Sequence, residues 1–412
     1  MKIIQFTHGY LPVYGGTTVR NLNLFKNNRH SIYMISDLKK DKVNRRDVFK
    51  NVIVNRYPVE KIKMPRPLPR LEFYHDFQVV RAKAEQLADQ VKEKKFDIIH
   101  GHNPAYCALA AAKLARKTNK PFIYESHSFF PAKELLRDKH KKNLSSYILN
   151  YLRLWLVQFK EGLAAREAGA VIVQTPDLKR KLSRAFGIDR DKIHIVPNGV
   201  DTKLFDPKKW SNKVDAFRKK KNWNKKIIFM YSGFLDRPNG VDVLAKTFTK
   251  LPEKIKKKIK LVIFGRGYLE DDLKKIAKKN RGLIDFLTPV SYYKMPLYYA
   301  ACDVFVIPRP SITATETVVP LKLIEAAAME KIILVSSVKG LQKIVKNNQS
   351  GIVFNKNDQK DLEKKIKDIV SNYKKYNHLG KEARKIAIRE HDWGRSRKKL
   401  NKIYQDLIYE NQ

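Results

Sequence analysis

Several turns that follow short apolar runs carry the residue types with which proteins bind phosphate. Gly15 and Gly16 close the loop after the first apolar run, and Gly233 and Gly265 follow later runs. A glycine lets the backbone approach a ligand closely, and the free N–H groups at the start of a following helix attract an anion. Taken alone, each of these is equally well explained as a tight turn that needs a positive φ angle.

The segment 307–330 combines more of this chemistry. Arg309 follows an apolar run, and Pro320 precedes a helical stretch in which Lys322 and Glu325 are three residues apart and share one face. The cations would offset a diphosphate and the carboxylate would bind ribose hydroxyls, so the segment predicts a nucleotide site. The alternative is a surface helix with an exposed salt bridge, which contributes little to stability.

Histidine and carboxylate side chains follow two other apolar runs. The first run leads into His102 and Asn103, and the next leads into Glu125 and His127. Because ligands bind at the carboxyl ends of parallel strands, these side chains are candidates for one site. No third ligand with the spacing of a metal site accompanies them, so we predict no zinc site.

Short apolar runs alternate with amphipathic stretches along the whole chain, which is typical of parallel sheets with helices on both faces. The series restarts near residue 226, after a lysine-rich stretch at 201–224. We therefore predict an α/β fold with two doubly wound parallel sheets that face an interdomain cleft. The predicted strands are Lys2–Phe6, Ser31–Ile35, Asn51–Val54, Phe96–His100, Phe122–Glu125, Ala170–Gln174, Lys192–Val196, Lys226–Tyr231, Ile259–Phe264, Leu283–Leu287, Asp303–Ile307 and Ile332–Val335. The predicted helices include Arg81–Lys95, Ala105–Thr118, Val241–Leu251 and Glu270–Lys279.

The chain is strongly basic. Its 412 residues include 85 Lys or Arg and 41 Asp or Glu, which gives a formal net charge of +44. Residues 1–200 carry +20 and residues 201–412 carry +24, whereas the segment 301–350 carries only +2. An anionic partner is expected, but so even a spread is not typical of a nucleic-acid-binding arm.

Several protein classes are excluded. The two cysteines, Cys107 and Cys302, are too few for a disulfide-rich secreted scaffold or a four-cysteine zinc site. The N-terminus lacks the apolar core of a signal peptide, and no run of about 18 uncharged apolar residues occurs. We expect a cytoplasmic protein without a membrane-spanning helix.

As a set, the motifs resemble the family 4 retaining glycosyltransferases of the two-domain GT-B fold. The resemblance covers nearly the whole chain, and VPNGVDTKLFDP is close to a signature of the family. The markers in chain order are PVYGG, DIIHGHNP, YESH, VIVQTPDLKRKL, KIHIVPNGVDTKLFDP, YSGFLDRPNGVD, VIFGRG, YYAACDVFVIP, PLKLIEAAAMEKIILVS, VKGLQKIV and SGIVF.

The resemblance implies a division of labour between Rossmann-like domains. Residues 1–200 would form the acceptor-binding domain and residues 201–385 the domain that binds a nucleotide-diphosphate sugar. Residues 386–412 would form a helix that crosses back to the N-terminal domain. The acceptor would be a glycan, a lipid-linked molecule or a cell-surface polysaccharide. No metal or other cofactor is expected, because protein cations and helix N-termini offset the charge of the leaving diphosphate.

The resemblance also assigns residues. Gly15 and Gly16 match the loop near the diphosphate, His127 matches the histidine near the sugar, and Glu325 matches the second glutamate of a Glu-x7-Glu element, expected on the ribose. We place His127, Lys322 and Glu325 in the catalytic set. The other candidates on the sugar-donor side are Gly233, Gly265, Arg309 and Thr317, and those on the acceptor side are His102, Asn103 and Glu125.

Three positions depart from the family pattern. Phe234 and Asn239 stand where the family commonly has Arg and Lys, and Thr317 stands at the first glutamate of Glu-x7-Glu, with Glu316 one position earlier. The usual cationic pair is therefore absent. We hypothesise that Arg309 and Lys322 supply the charge for the diphosphate instead.

The resemblance implies a front-face mechanism without a covalent step. The leaving phosphate would help to deprotonate the acceptor hydroxyl, and the enzyme would supply orientation and electrostatic stabilisation. His127 would position the sugar, and its use as a general base stays open.

Other interpretations stay open beside this one. Within the fold, an epimerase fits the VPNGVD and PLKLIE segments less well, and a phosphorylase lacks a lysine-bound cofactor site. A basic nucleic-acid-binding protein and an inactive nucleotide-sugar-binding relative are the others. Peripheral contact with an anionic membrane is a separate hypothesis, because the segment Ser145–Phe159 is apolar and aromatic and the loop Lys63–Arg70 is basic.

Overall fold

The computed structural model describes residues 1–7, 15–25, 30–37, 46–49, 51–57, 84–86, 88–89, 91–92, 94–128, 144–346 and 349–410. The chain divides into two compact units. Unit 1 comprises Met1–Pro197 and Gly394–Gln412, and unit 2 comprises Asn198–Trp393.

Unit 1 is built on an eight-stranded sheet in the order β3-β4-β2-β1-β5-β6-β7-β8. Its pairings are parallel except that of β3 with β4, which is antiparallel. The strands are β1 (Lys2–Thr7), β2 (Ser31–Asp37), β3 (Arg46–Phe49), β4 (Val52–Tyr57), β5 (Ile98–His102), β6 (Phe122–Glu125), β7 (Ala170–Val173) and β8 (Ile193–Ile195). The helices that precede unit 2 are α1 (Gly16–Phe25), α2 (Ala105–Thr118), α3 (Leu144–Glu167) and α4 (Pro176–Phe186).

Unit 2 is built on a six-stranded parallel sheet in the order β11-β10-β9-β12-β13-β14. The strands are β9 (Ile227–Phe234), β10 (Ile259–Arg266), β11 (Ile284–Leu287), β12 (Val304–Ile307), β13 (Ile332–Ser336) and β14 (Ile352–Phe354). The helices are α5 (Pro207–Lys220), α6 (Val241–Lys250), α7 (Glu253–Lys256), α8 (Glu270–Lys279), α9 (Met295–Ala301), α10 (Thr313–Thr317), α11 (Leu321–Ala328), α12 (Lys339–Gln342), α13 (Gln359–Ser371) and α14 (Tyr373–His391). The last helix is α15 (Trp393–Tyr409), and 3₁₀ turns lie at Arg237–Asn239 and Tyr292–Lys294.

The sequence explains why these elements form. Strand β7 is a continuous apolar run and β13 is apolar up to its last residue, Ser336, and every residue of both is buried, as expected for parallel sheets covered on both faces. Helix α4 begins with Thr175 as its cap, whose hydroxyl accepts from the Leu178 N–H at 3.1 Å, and with Pro176 in the first turn.

The predicted α/β class with two doubly wound sheets is confirmed for each unit by itself, and most predicted elements lie within two or three residues of the observed ones. Strand β6 and helices α2 and α8 have the predicted bounds. The prediction missed β3, a short antiparallel strand that pairs only with β4, and β14, which has three residues.

Some predictions concern boundaries or lie outside the described residues. The chain passes from one unit to the other after Pro197 and after Trp393, where the predicted domain boundaries were residues 200 and 385. Unit 2 extends past residue 385 because α14 packs on α11 within it. The loop Lys63–Arg70, much of the predicted helix Arg81–Lys95 and residues 8–14 of the first glycine loop lie outside the described residues. In the described part of the chain, none of the helices is both long and apolar enough to cross a bilayer.

Candidate functional site

Polar side chains gather in unit 1 where β5 and β6 end, and one buried ion pair lies at their centre. Glu125, the last residue of β6, is fully buried. Arg20, on α1, is 1% exposed and donates from Nε to Glu125 Oε1 at 2.6 Å. Its other nitrogens donate to the carbonyls of Pro197 at 3.1 Å and Val196 at 2.9 Å. The guanidinium therefore joins α1 to the strand ends.

Three histidines surround this pair. His100 Nε2 lies 3.2 Å from Glu125 Oε2, and His100 Nδ1 lies 2.7 Å from the hydroxyl of Tyr404 on α15. His102 Nδ1 lies 3.0 Å from His127 Nε2, and the His100 and His102 rings stack with centroids 4.4 Å apart. We call Arg20, His100, His102, Glu125 and His127 the unit 1 cluster.

Burial and charge set the protonation of this cluster. Desolvation opposes ionisation of Glu125, but Arg20 and the neighbouring histidines hold its pKa well below the usual value. Desolvation lowers the pKa of His127 to about 4 and that of His102 well below its usual value. At neutral pH the cluster therefore contains an ionised Glu125 beside the neutral imidazoles of His102 and His127.

The predicted acceptor-side residues lie together, but two of them are inaccessible. Asn103 Oδ1 accepts from the backbone N–H of His127 at 3.2 Å, and Asn103 Nδ2 donates to the Ser128 carbonyl at 3.1 Å. His102 and Glu125 are fully buried, so their side chains support His127 instead of touching an acceptor. This corrects the expectation of direct acceptor contact, because that expectation took no account of the paired Arg20.

The cluster contains residue types that ligate metals. One ligand atom each from His100, His102 and Glu125 lies within 4.8 Å of the others. A cation there would also face the Arg20 guanidinium, which already holds the carboxylate, so the geometry favours an ion-paired network over a metal centre. Metal independence stays a prediction.

The predicted glycine pair lies at the start of α1. Gly15 precedes the helix and Gly16 is its first residue, and both are exposed, with no atom of the described residues within 4 Å of an added Cβ. Open space around a helix start leaves its N–H groups accessible to an anion.

In unit 2, predicted site residues converge at the end of β9. Gly233 has φ +141°, and a Cβ there would lie 2.8 Å from Lys322 Nζ. The same Nζ lies 4.1 Å from the centroid of the Tyr231 ring, a cation–π contact. Gly265 is the register partner of Gly233 on β10, and a Cβ there would lie 2.0 Å from the Gly233 carbonyl oxygen. Both glycines are therefore required by close backbone approach.

Arg309 lies beside the position where the family commonly has Lys. Its Nε lies 3.4 Å from Asn239 Oδ1, and Asn239 Nδ2 in turn donates to Asp236 Oδ1 at 2.5 Å. Desolvation lowers the pKa of Arg309, and the negative charge of Asp236 opposes this. The hydroxyl of Ser336, at the end of β13, donates to the Arg309 carbonyl at 2.6 Å and fixes its backbone.

Glu325 lies on α11 and is buried. Tyr299 OH donates to its Oε2 at 3.0 Å, and the Tyr299 hydroxyl lies 3.2 Å from Ser232 Oγ. Desolvation raises the pKa of Glu325 to about 7, and the bond from Tyr299 and the charge of Lys322 oppose the rise. We call Tyr231, Arg309, Lys322 and Glu325 the unit 2 cluster.

Thr317, at the first position of Glu-x7-Glu, and Glu316, one position earlier, have local hydrogen-bond partners. The hydroxyl of Thr317 donates to the Thr313 carbonyl at 2.9 Å within α10. Glu316 accepts from Ser311 Oγ at 2.6 Å, Lys339 N at 2.7 Å and Lys356 Nζ at 2.7 Å. Glu316 therefore pins the loop to its neighbours.

Sequence reasoning missed Arg20, Gln174 and Tyr299. Gln174 had a usable signal, because it is a polar residue directly after the apolar strand β7 and so at a strand carboxyl end. Arg20 resembles any charged helix residue, although the rest of its helix is apolar or small and polar. Tyr299 carries no local signal.

Comparison with known proteins gives a consistent assignment. The family model described as Glycosyl transferases group 1 matches residues 213–386, and the one described as Glycosyltransferase Family 4 matches residues 28–204. Alpha-monoglucosyldiacylglycerol synthase of Acholeplasma laidlawii is 23% identical over 430 residues, which cover 100% of this chain and 98% of that protein.

Two solved structures share the fold. Sucrose-phosphate synthase of Thermosynechococcus elongatus superposes with a TM-score of 0.77 at 18% identity, covering 99% of both chains. HepE of Anabaena, solved in complex with UDP and glucose, superposes with a TM-score of 0.73 at 14% identity, covering 98% of this chain and 100% of that one.

Proposed function

Because this chain belongs to the group 1 and family 4 glycosyltransferases and is a glycosyltransferase of the GT-B fold, we propose that it transfers a sugar from a nucleotide-diphosphate sugar to a hydroxyl, with retention and without a metal. The unit 2 cluster supports this proposal most directly. It combines two cations near Tyr231 with a buried carboxyl, which suits a diphosphate and a ribose. Neither a nucleic-acid-binding protein nor an inactive relative is favoured by the family match.

In this proposal each candidate has a role. Arg309 and Lys322 offset the charge of the leaving diphosphate, and Glu325 accepts hydrogen bonds from ribose hydroxyls. His127 lies against the transferred sugar, and Gly15 and Gly16 offer backbone N–H groups to the diphosphate. The chain supplies orientation and fixed charge rather than a covalent nucleophile.

The direct test is a screen of sugar donors followed by product analysis. Thermal shift with UDP-glucose, the first candidate because the HepE structure holds UDP and glucose, is compared with GDP-, ADP- and TDP-sugars. NMR of the transferred sugar then reports the anomeric configuration, and an assay in EDTA reports metal dependence. Inversion, or loss of activity in EDTA, contradicts the corresponding part of the proposal; binding without transfer supports an inactive relative.

Gly233→Ala tests the site itself. The new Cβ would meet Lys322 Nζ, so we expect the KM for the sugar donor to rise about tenfold, equivalent to ~1.4 kcal/mol. The matched control is Gly282→Ala, which also has a positive φ but no atom within 4 Å of an added Cβ. Backbone strain alone would affect both variants alike, and equal KM values for the two would remove the assigned site.

We propose further that the acceptor is lipid-linked and that unit 1 contacts an anionic membrane surface. Leu152, Trp155 and Phe159 lie on one face of α3 with 44%, 53% and 43% of their surface exposed. The basic run KHKK at 139–142 precedes this helix, and basic amphipathic helices bind anionic bilayers. The relative from Acholeplasma laidlawii is named for a lipid product.

Liposome flotation tests the membrane proposal. Trp155→Ser with Phe159→Ser should abolish flotation with anionic vesicles, whereas Tyr409→Ser, which changes a residue 79% exposed elsewhere on unit 1, should not. Equal flotation of both variants, or no dependence on anionic lipid, contradicts it.

A further inference from the structure

The ring of His127 has both nitrogens occupied by protein groups. Nε2 lies 3.0 Å from His102 Nδ1, whereas Nδ1 lies 3.4 Å from Gln174 Nε2 and 3.5 Å from Glu125 Oε1. A neutral imidazole carries one proton, so one of its nitrogens donates and the other accepts. The neighbours of Nδ1 decide which.

The amide of Gln174 has a fixed orientation. Its Nε2 donates to the Ser126 carbonyl at 2.9 Å, so the nitrogen end and not the oxygen end faces His127. Gln174 is 4% exposed and follows β7 directly. An amide nitrogen has two hydrogens and no lone pair available, so its second hydrogen requires an acceptor at His127 Nδ1.

Glu125 competes for the same nitrogen, because a carboxylate would favour a proton on His127 Nδ1. Both separations from His127 Nδ1, 3.4 Å to Gln174 Nε2 and 3.5 Å to Glu125 Oε1, are long for a hydrogen bond. The carboxylate oxygen already accepts a short bond from Arg20 Nε at 2.6 Å, whereas the Gln174 amide still has a hydrogen to donate. The contact with Gln174 therefore decides the tautomer. His127 carries its proton on Nε2, donates it to His102 Nδ1, and His102 keeps its own proton on Nε2.

We propose that Gln174 is a positioning residue that holds His127 as its Nε2–H tautomer and so prevents it from acting as a general base. This inference rests on the proposed function only in assigning His127 to the transferred sugar. The lone pair of His127 lies on Nδ1, against Gln174 and Glu125, and is not available to an acceptor hydroxyl. Desolvation lowers the pKa of His127 to about 4, with Glu125 opposing and Arg20 and His100 lowering it, which keeps the ring neutral.

NMR of the full chain labelled with ¹⁵N-histidine tests the tautomer without any substrate. His127→Gln assigns the signal, and we expect the wild-type ring to show a protonated Nε2 and an unprotonated Nδ1 near pH 7. A protonated Nδ1 in the wild type overturns the proposal whatever the Gln174 variant shows.

Gln174→Glu then replaces the donor with an acceptor of the same shape, so we expect the proton to move to Nδ1 and kcat to fall about tenfold. The control Asn51→Asp makes the same amide-to-carboxylate change where Nδ2 donates to the carbonyls of Phe25 and His30. An unchanged His127 spectrum in Gln174→Glu, or the same change in Asn51→Asp, contradicts the assigned role. Failure of transfer by the wild type with the expected tautomer would count against the proposed function alone.

Discussion

Buried carboxyl groups occur at the strand ends of one unit and on the site helix of the other, and their surroundings differ. In unit 1 Glu125 is held by the Arg20 guanidinium, and its pKa is well below the usual value. In unit 2 Glu325 is held by a neutral tyrosine, and burial raises its pKa to about 7. Arg309 Nε lies 3.4 Å from the neutral amide oxygen of Asn239.

This difference distinguishes buried charges that are paired within the protein from buried groups that suit a charged ligand. In the Arg20–Glu125 pair each charge neutralises the other, so removing one partner leaves an uncompensated ion in the core. Arg309 and Glu325 are desolvated beside the neutral hydrogen-bond partners Asn239 and Tyr299, and only the charges of Asp236 and Lys322 partly offset the burial, an arrangement that costs stability until a ligand binds. We infer that the unit 1 cluster shapes the site, whereas the unit 2 cluster binds the sugar donor.

Arg20→Met should have the largest effect on stability. It leaves Glu125 buried without its cation, so we expect the free energy of unfolding to fall by about 3–5 kcal/mol, measured by urea denaturation at pH 7. Adding Glu125→Gln should recover part of the loss, because the uncompensated charge is then gone.

Arg116→Met is the matched control. Arg116 pairs with Glu167 at 2.9 Å in the same unit, but with side chains 63% and 42% exposed, so its loss should cost less than about 1 kcal/mol. If Arg20→Met costs no more than this control, the buried pair does not stabilise unit 1.

A second comparison uses two carboxyls with similar environments. Glu161 accepts from Tyr124 in unit 1 as Glu325 accepts from Tyr299 in unit 2, and desolvation raises the pKa of each to about 7. In the unfolded chain these carboxyls lose their protons near pH 4.5, whereas in the folded chain they keep them up to about pH 7. The free energy of unfolding therefore falls, for each group, as the pH rises from about 4.5 to about 7. The expected loss is about 3 kcal/mol per group.

Glu161→Gln and Glu325→Gln should therefore each gain stability over the wild type as pH rises through this window, and gain little below it. Urea titrations at pH 4.5 and 8 measure this. Only Glu325→Gln should also weaken binding of the sugar donor, and wild-type affinity should decline below about pH 7 as Glu325 is protonated. Equal donor binding by the two variants would break the assignment of Glu325 to the ribose.

The general fold was predictable because its signal is repeated along the chain. Apolar runs such as Phe122–Glu125 alternate with amphipathic stretches such as Ala105–Thr118, and each such unit independently indicates a parallel sheet covered by helices. Strand β3 was not predictable, since RDVF is short and polar and becomes a strand only by pairing with β4. Its structure comes from a neighbour and not from its own pattern.

The site was predictable only in part. Glycines, strand-end histidines and the Lys322–Glu325 spacing are visible in sequence because each marks a turn or a helix face. The pairing of Arg20 with Glu125 joins residues 105 positions apart, and the sequence does not show that both are buried. Because Glu125 is buried and paired with Arg20, it is an internal anion and not the ligand-binding group that the sequence suggested.

Removing both unit 2 cations should weaken donor binding without a matching loss of stability. Arg309→Gln with Lys322→Gln removes the charge proposed for the diphosphate, and charge-assisted hydrogen bonds contribute about 1.5–3 kcal/mol, so affinity should fall roughly 10–100-fold. Calorimetry with the best nucleotide sugar measures the loss. Lys278→Gln, at an exposed position on α8, is the control and should bind like the wild type. Unchanged affinity in the double variant would falsify the hypothesis that Arg309 and Lys322 supply the charge for the diphosphate.

Restoring the arginine that the family commonly has should have the smallest effect. Phe234 is 55% exposed at the end of β9, so Phe234→Arg adds a solvated charge to a site that Arg309 and Lys322 already serve. We expect at most about a threefold gain in donor affinity, the scale of an exposed ion pair. Tyr293→Arg adds the same charge at a residue 46% exposed elsewhere in unit 2 and should give no gain. A gain above about thirtyfold would mean that the existing cations do not reach the diphosphate. Equal gains from both variants would mean that only the net charge matters.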